Sequence, residues 1–244
     1  MEIEIYIKKM KDIYLVLIDF IDTVEDSDAK FNILVELLNK EAILKNLEVV
    51  RLIFQLISKI ADNHQRKSDF FYKLEQIHRY FFKDIPSPIS HFITNYRQYN
   101  KKVLFLLLQK GYVEPDESFL KYIVNNISKY YIKKYQSQLY LYPAIKNHLE
   151  KEEQKRIEEI ILQEYNVDFS NFEQKCLLGE NDSYICSLIR SDSIEDFVAY
   201  VNRTNLSLDS KIEKSIYETN SFLIDKKPTL IEYAAFFGSI QIIQ

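Results

Sequence analysis

The architecture of this chain is indicated most clearly by one segment, Pro228-Thr229-Leu230-Ile231-Glu232-Tyr233-Ala234-Ala235-Phe236-Phe237-Gly238-Ser239-Ile240-Gln241-Ile242-Ile243-Gln244. It predicts a short helix, a turn at Gly238 and the beginning of a second helix, because glycine readily adopts the left-handed conformation that ends a helix. A helix pair of this kind cannot bury its apolar face alone and needs stacked neighbours. We therefore expect an all-α fold of stacked helical hairpins.

The composition supports helices joined by polar turns. Apolar residues make up 47% and charged residues 28% of the 244 residues, which is typical of a globular protein rather than a disordered one. Only 3 Gly and 5 Pro occur, whereas barrels, sandwiches and nucleotide-binding α/β folds use glycine at many tight turns. The sequence contains neither a β-hairpin signal nor an alternation of strands and helices.

Apolar residues recur with the helical period along most of the chain. In the first half, the stripes and turn signals predict helices around Phe31–Leu38, Val49–Ile60, Phe70–Phe81, 88–98, 100–110 and 117–127. Ile85–Pro88 is expected to end the third of these helices, because the residue before a proline is excluded from the helical region. Gly111 is expected to end the helix at 100–110.

In the second half, Pro143 is expected to open one long helix that reaches about Tyr165. Residues 166–180 are interpreted as a connector. The helical pattern resumes at Tyr184–Arg190 and Ser193–Asn202, and residues 203–228 are interpreted as a loop before the closing segment.

The closing segment resembles the ankyrin repeat. The residues that match the repeat pattern are Thr229, Ala234, Ala235, Gly238, Ile242 and Ile243. The resemblance implies that Thr229 caps the first helix, that the two alanines let the helices approach closely, and that Gly238 makes the turn. The paired isoleucines would belong to the second helix. Leu230, Ile231 and Glu232 replace the proline, leucine and histidine of the family.

A wider resemblance covers Ile185–Gln244, which is similar to a domain of uncharacterised function that precedes ankyrin arrays in large protein families of single-celled parasites. A poorer copy of the closing motif is present at Asp192–Val198. The resemblance implies an ankyrin-like α-solenoid with degenerate repeats, in which the chain stops within a repeat. We expect an N-terminal helical-hairpin region at 1–165, a connector at 166–180 and degenerate repeats at 181–244.

Charge and cysteine usage limit the classes of partner. The formal net charge is −4, and a nucleic-acid-binding domain is usually basic, so nucleic acid is not the expected partner. Cys176 and Cys186 occur without a secretory signal, so we expect reduced thiols in an intracellular, cytoplasmic protein. Residues 1–21 alternate charged and apolar residues, so we expect neither a signal peptide nor a membrane span.

No catalytic or cofactor motif is evident, and we expect neither an enzyme nor a cofactor or metal. Glu75 and His78 have the Glu-x-x-His spacing of di-iron bundles, but a second such pair and two further carboxylates are missing, so a surface coincidence is the expected interpretation. The four histidines do not have zinc-type spacing. A thiol nucleophile would need a positioned histidine, and buried, inert thiols are the simpler expectation.

These observations predict a non-enzymatic scaffold for protein–protein interaction that binds a protein partner. The sequence leaves open the identity of that partner, the binding residues and the oligomeric state. The alternative is an α-solenoid that binds RNA through residues 121–135, where tyrosines and lysines such as Tyr130 and Lys133 would stack on bases and neutralise phosphates. The simpler interpretation of that segment is an amphipathic helix with solvated lysines.

Overall fold

The structure is a computed structural model that describes residues 2–23, 26–40, 46–63, 69–83, 99–127, 138–165 and 167–244. Within these residues the chain is all-α and contains no β-strand, as predicted. The predicted helix at 88–98 and the proline segment at 85–88 lie outside the described residues.

The described residues form helices in the following order along the chain. They are α1 Glu2–Asp22, α2 Ser27–Lys40, α3 Leu47–Asn63, α4 Phe70–Phe81, α5 Lys101–Gln109, α6 Glu117–Asn126, α7 Tyr142–Ile145, α8 Lys151–Tyr165, α9 Phe169–Leu178, α10 Tyr184–Arg190, α11 Ile194–Thr204, α12 Ser221–Lys226, α13 Leu230–Phe237 and α14 Ile240–Ile243. A 3₁₀ turn at Lys146–His148 follows α7.

Two hydrophobic cores form within this set. The first core takes its buried side chains from α1 to α9, with Ile216 and Tyr217 added from further along the chain. The second core is smaller and is built from α10 to α14, with Ile212 added from the loop after α11. Both cores follow from helices whose apolar stripes face one another and exclude water.

The long helix expected from Pro143 to Tyr165 is interrupted, and this prediction was wrong. Leu149 is extended, with φ −101° and ψ 149°, and it separates the 3₁₀ turn from α8. The side chain of Gln154 donates to the Leu149 carbonyl at 2.8 Å. Leu149 is itself buried, so burial of its side chain in the first core accompanies the break.

The segment expected to be a connector, 166–180, contains helix α9. Asp168 caps this helix by accepting from the Ser170 amide at 2.9 Å, and Gly179 ends it with φ 69°. Phe172 and Cys176 are four residues apart and both are buried in the first core, as side chains one helical turn apart share a face. The expected loop at 203–228 likewise contains α12.

The two C-terminal hairpins, α10–α11 and α13–α14, share one turn geometry. Asp192 and Gly238 both have a left-handed backbone, with φ 51° and 68°, and Ser193 and Ser239 follow with ψ 83° and 79°. In each turn the serine amide donates to a carbonyl five residues back, at 3.1 and 3.0 Å. Helix α10 packs against α13 and α11 against α14, so the hairpins are stacked.

Candidate functional site

The residues predicted to carry the repeat signature mostly have structural roles. Thr229 is the N-cap of α13: its hydroxyl accepts from the Glu232 amide at 3.3 Å and its own amide donates to the Glu232 carboxylate at 2.7 Å, which completes a capping box. Gly238 ends the helix with φ 68°. Ala234 and Ile242 are buried in the second core.

Ala235 does not have the predicted position, whereas Ile243 lies in the second helix of the pair. Ala235 is exposed, and the side chain of Ile243 is 45% exposed. Successive residues of a helix point about 100° apart, so the face that buries Ala234 turns Ala235 toward solvent. The expectation that both alanines lie between the helices was therefore wrong.

Polar contacts connect the hairpin α10–α11 to the hairpin α13–α14. Arg190 at the end of α10 donates to the Tyr233 hydroxyl of α13 at 2.8 Å and to the Asn181 carbonyl at 2.9 Å. Its Nε forms an ion pair with Glu180 at 2.7 Å. Tyr233 is buried, and burial raises the pKa of its hydroxyl. The buried hydroxyl therefore stays protonated and accepts the hydrogen bond.

The two turns also interlock. The carboxylate of Asp192 accepts from the amides of Gln241 and Ile242 at 3.1 and 3.2 Å, so it caps the beginning of α14. The hydroxyl of Ser239 donates to the Ile189 carbonyl at 2.5 Å. These bonds fix α13 relative to α10 and leave the opposite side of α13 facing α12.

A groove of about 640 Å³ lies between α12 and α13. Its apolar part is formed by Phe222 and Phe236, whose rings are stacked with centroids 6.0 Å apart and planes 13° from parallel. The side chain of Phe222 is 49% exposed. Ala235 and Pro228 add to the lining. A partly exposed aromatic pair in a groove of this size is typical of a site that binds another molecule.

The charged groups of the groove are three exposed lysines, Lys211, Lys226 and Lys227, and one carboxylate, Glu232. The carboxylate is occupied by the capping box, since the Thr229 amide donates to it, and this bond lowers the pKa of Glu232. Glu232 therefore stays ionised, but three lysines against this one carboxylate leave the lining with a net positive charge, in a chain whose net charge is −4.

Local backbone structure fixes the positions of these lysines. The Ile212 amide donates to the Pro228 carbonyl at 2.9 Å, and the Leu230 amide donates to the Ser210 carbonyl at 3.0 Å, so Lys211 pairs with Thr229 in a single antiparallel bridge. Lys227 follows α12 with a left-handed backbone, φ 48°. All three lysines consequently surround the connection from α12 to α13.

A polar joint links the two cores beside α12. Asn100 donates to the Asp62 carboxylate at 2.8 Å and to the Thr219 carbonyl at 3.1 Å. Asn220 donates to the Asp62 carbonyl at 2.9 Å, and its side-chain oxygen caps α12 by accepting from the Leu223 amide at 3.2 Å. Both asparagines are buried and use both ends of their amides, as buried polar groups must.

Glu75 and His78, the pair with di-iron spacing, each make contacts with other residues of the fold. His78 is buried and does not lie at the surface as expected. Its Nδ1 donates to the Leu74 carbonyl, and its ring packs against Phe54. Burial lowers the pKa of His78 to about 4. Glu75 forms an ion pair with Lys110 at 3.1 Å. Among the described residues, no three His, Cys, Asp or Glu side chains come together as potential metal ligands.

Cys176 and Cys186 are free and buried. Burial raises the pKa of Cys176 to about 12 and also raises that of Cys186. Low thiolate content makes both thiols weak nucleophiles.

The segment 121–135, which was the candidate for RNA binding, is described only in part, because residues 128–137 lie outside the described residues. Within its described part, Lys121 forms an ion pair with Glu117 at 2.5 Å.

Comparisons with protein-family models, with curated proteins and with solved structures found no match for this chain. In the part of the chain that the structure describes, none of the helices has the length and apolar character needed to cross a bilayer.

Proposed function

We propose that this chain is a non-enzymatic, intracellular protein-interaction module of ankyrin-like helical repeats, which binds a segment of another polypeptide in the groove between α12 and α13. The observation that supports this proposal is the stacked Phe222–Phe236 pair in the groove, in which the Phe222 side chain is about half exposed to solvent and Phe236 is partly buried against the second core. Aromatic side chains in partly desolvated pockets dominate the binding energy of many protein interfaces.

The surroundings of the groove support a preorganised site. The α13 wall is held by the capping box at Thr229 and by the bond from Arg190 to Tyr233. The α12 wall is held at its N-terminus by Asn220, whose side chain donates to the carbonyl of Asp62 in α3. Rigid walls reduce the entropy that is lost when a ligand binds.

The proposal can be tested by panning a random peptide library displayed on phage against the purified chain. We expect enriched peptides to bind Phe222→Ala about 10-fold more weakly, which corresponds to roughly 1.4 kcal/mol. Tyr72→Ala is the matched control, because Tyr72 is an exposed aromatic residue of α4, at 61% exposure, and its loss should leave peptide binding unchanged.

Two results would contradict this proposal. One is a library that yields no enriched peptide, and the other is a set of enriched peptides that bind wild type and Phe222→Ala equally well. The RNA alternative predicts instead that single-stranded RNA binds with an affinity that falls steeply with salt and depends on Lys133 and Lys134.

A further inference from the structure

The groove between α12 and α13 has chemically different ends. Phe222 is at the beginning of α12 and Phe236 is near the end of α13, and these rings stack at one end. Lys226, Lys227 and Lys211 surround the connection between the helices at the other end. A ligand that fits both ends must be apolar on one side and anionic on the other.

We propose that the ligand of this groove is an acidic peptide segment in which one large apolar side chain is followed or preceded by a cluster of carboxylates. The inference rests on the proposed function and names the class of its ligand. Charge complementarity selects this occupant, because three ammonium groups line the groove against a single carboxylate, and that carboxylate is held at the N-terminus of α13 by the Thr229 amide.

The net charge of the groove lining is positive, whereas the net charge of the whole chain is negative. A formal net charge of −4 would repel an acidic segment from most of the surface, so the lysines supply a local attraction against an unfavourable background. Single exposed ion pairs contribute little. Binding therefore needs the apolar anchor together with the lysines, and an acidic peptide without an anchor should bind weakly.

The spacing of the two ends limits the peptide further. Phe222 and Lys226 are four residues apart on α12 and lie on the same side of the helix, at a rise of about 6 Å. An extended peptide advances about 3.3 Å per residue. The acidic cluster should consequently begin about two residues from the apolar side chain.

The test uses fluorescein-labelled peptides of about ten residues and measures their binding to the full chain by fluorescence anisotropy at low salt. The first probe has one phenylalanine and three aspartates that begin two residues away, in both orders along the chain. The second has lysines in place of the aspartates, and the third has serine in place of the phenylalanine. A single-stranded RNA of ten nucleotides is the fourth probe.

We expect the first probe to bind, in one of its two orders, at least about 10-fold more tightly than the other three. The double variant with Lys211→Glu and Lys226→Glu should reverse the preference between the first and second probes, and the binding of the first probe to wild type should weaken with added salt. Lys155→Glu, at an exposed position on α8, is the control and should leave the preference unchanged.

Other outcomes would overturn the inference. If the RNA or the acidic peptide without phenylalanine binds as well as the first probe, the groove is a general anion site. If a concentration-dependent association of the chain with itself is lost in Phe222→Ala, the occupant is a second copy of the chain.

The library experiment separates this inference from the proposed function. Enriched peptides that depend on Phe222 but are neutral or basic would overturn the acidic ligand and leave peptide binding intact. A complete absence of peptides that depend on Phe222 would overturn both.

Discussion

The first core contains many buried aromatic side chains, whereas the second core contains only Phe197 and Tyr233 among the described residues. The large core also encloses charge: Lys73 is buried, donates to the Ile21 carbonyl at 3.0 Å and pairs with Asp69 at 2.8 Å. Lys73 therefore caps the C-terminal end of α1, where the last carbonyl groups lack partners within the helix.

The second core is stabilised differently. Its hairpins are joined by hydrogen bonds that cross from one hairpin to the other: Arg190 and Ser239 donate two of them, and the Asp192 carboxylate accepts from the Gln241 amide. A small core buries little apolar area, so directional contacts between repeats carry a larger share of its stability. The comparison indicates that apolar burial stabilises the first region, and that capping and cross-hairpin bonds set the geometry of the second.

The largest effect is expected in the first core. Phe54 is fully buried and its ring contacts Phe81, Phe82 and His78. Phe54→Ala should lower the free energy of unfolding by about 3–5 kcal/mol, through lost burial and the cavity left behind. Urea unfolding measures this, with exposed Tyr72→Ala as the control. A loss below about 1 kcal/mol would contradict the role assigned to apolar burial.

Acid should also destabilise the first core. Burial lowers the pKa of His78 from 6.5 to about 4, so between these pH values the unfolded chain binds a proton that the folded chain does not. The stability due to neutral His78 is complete above pH 6.5 and is lost as the pH falls to about 4, by roughly 3 kcal/mol. In His78→Leu, urea unfolding measured across this range should show a shallower pH dependence, and an unchanged slope would refute the assignment.

The joint between the cores is expected to be intermediate in strength. Asn220→Ala removes the cap of α12 and the bond to the Asp62 carbonyl, and should cost about 1–2 kcal/mol. Hydrogen exchange should accelerate first in α12. Asn202→Ala, at an exposed position on α11, is the control, and equal effects of the two substitutions would show that the joint adds nothing.

Contacts between the hairpins should each contribute a smaller amount. Tyr233→Phe removes the hydroxyl that accepts from Arg190 and should cost about 1 kcal/mol. A double-mutant cycle with Arg190→Met measures the coupling between these two side chains. Tyr184→Phe is the control because Tyr184 is exposed. Zero coupling energy would mean that apolar packing alone joins the hairpins.

The smallest effect is expected at Ala235. This residue is exposed, so Ala235→Leu should change the stability by less than about 0.5 kcal/mol. Ala234 is fully buried, and Ala234→Leu should overpack the second core and cost about 1–3 kcal/mol. Thermal unfolding of both variants distinguishes the two positions, and similar shifts would show that the face of α13 has been assigned incorrectly.

The chain's local patterns were sufficient to predict several elements. The helix Tyr184–Arg190 was predicted with its observed bounds, and the turn at Gly238 also agrees with the structure. The groove was not predicted, because residues 203–228 have weak periodicity. The available signal was Asn220, a good helix cap, followed by three apolar residues and the run Lys226-Lys227-Pro228.

The sequence alone determined the helical class, the cap at Thr229 and the paired turns, because apolar period, capping side chains and left-handed residues act over a few neighbouring positions. Only the tertiary structure decided which of Ala234 and Ala235 is buried, and only it brought Lys211 beside Thr229 and Phe222 against Phe236. These contacts join residues that are distant along the chain, and they depend on how whole helices pack, which local pattern does not specify.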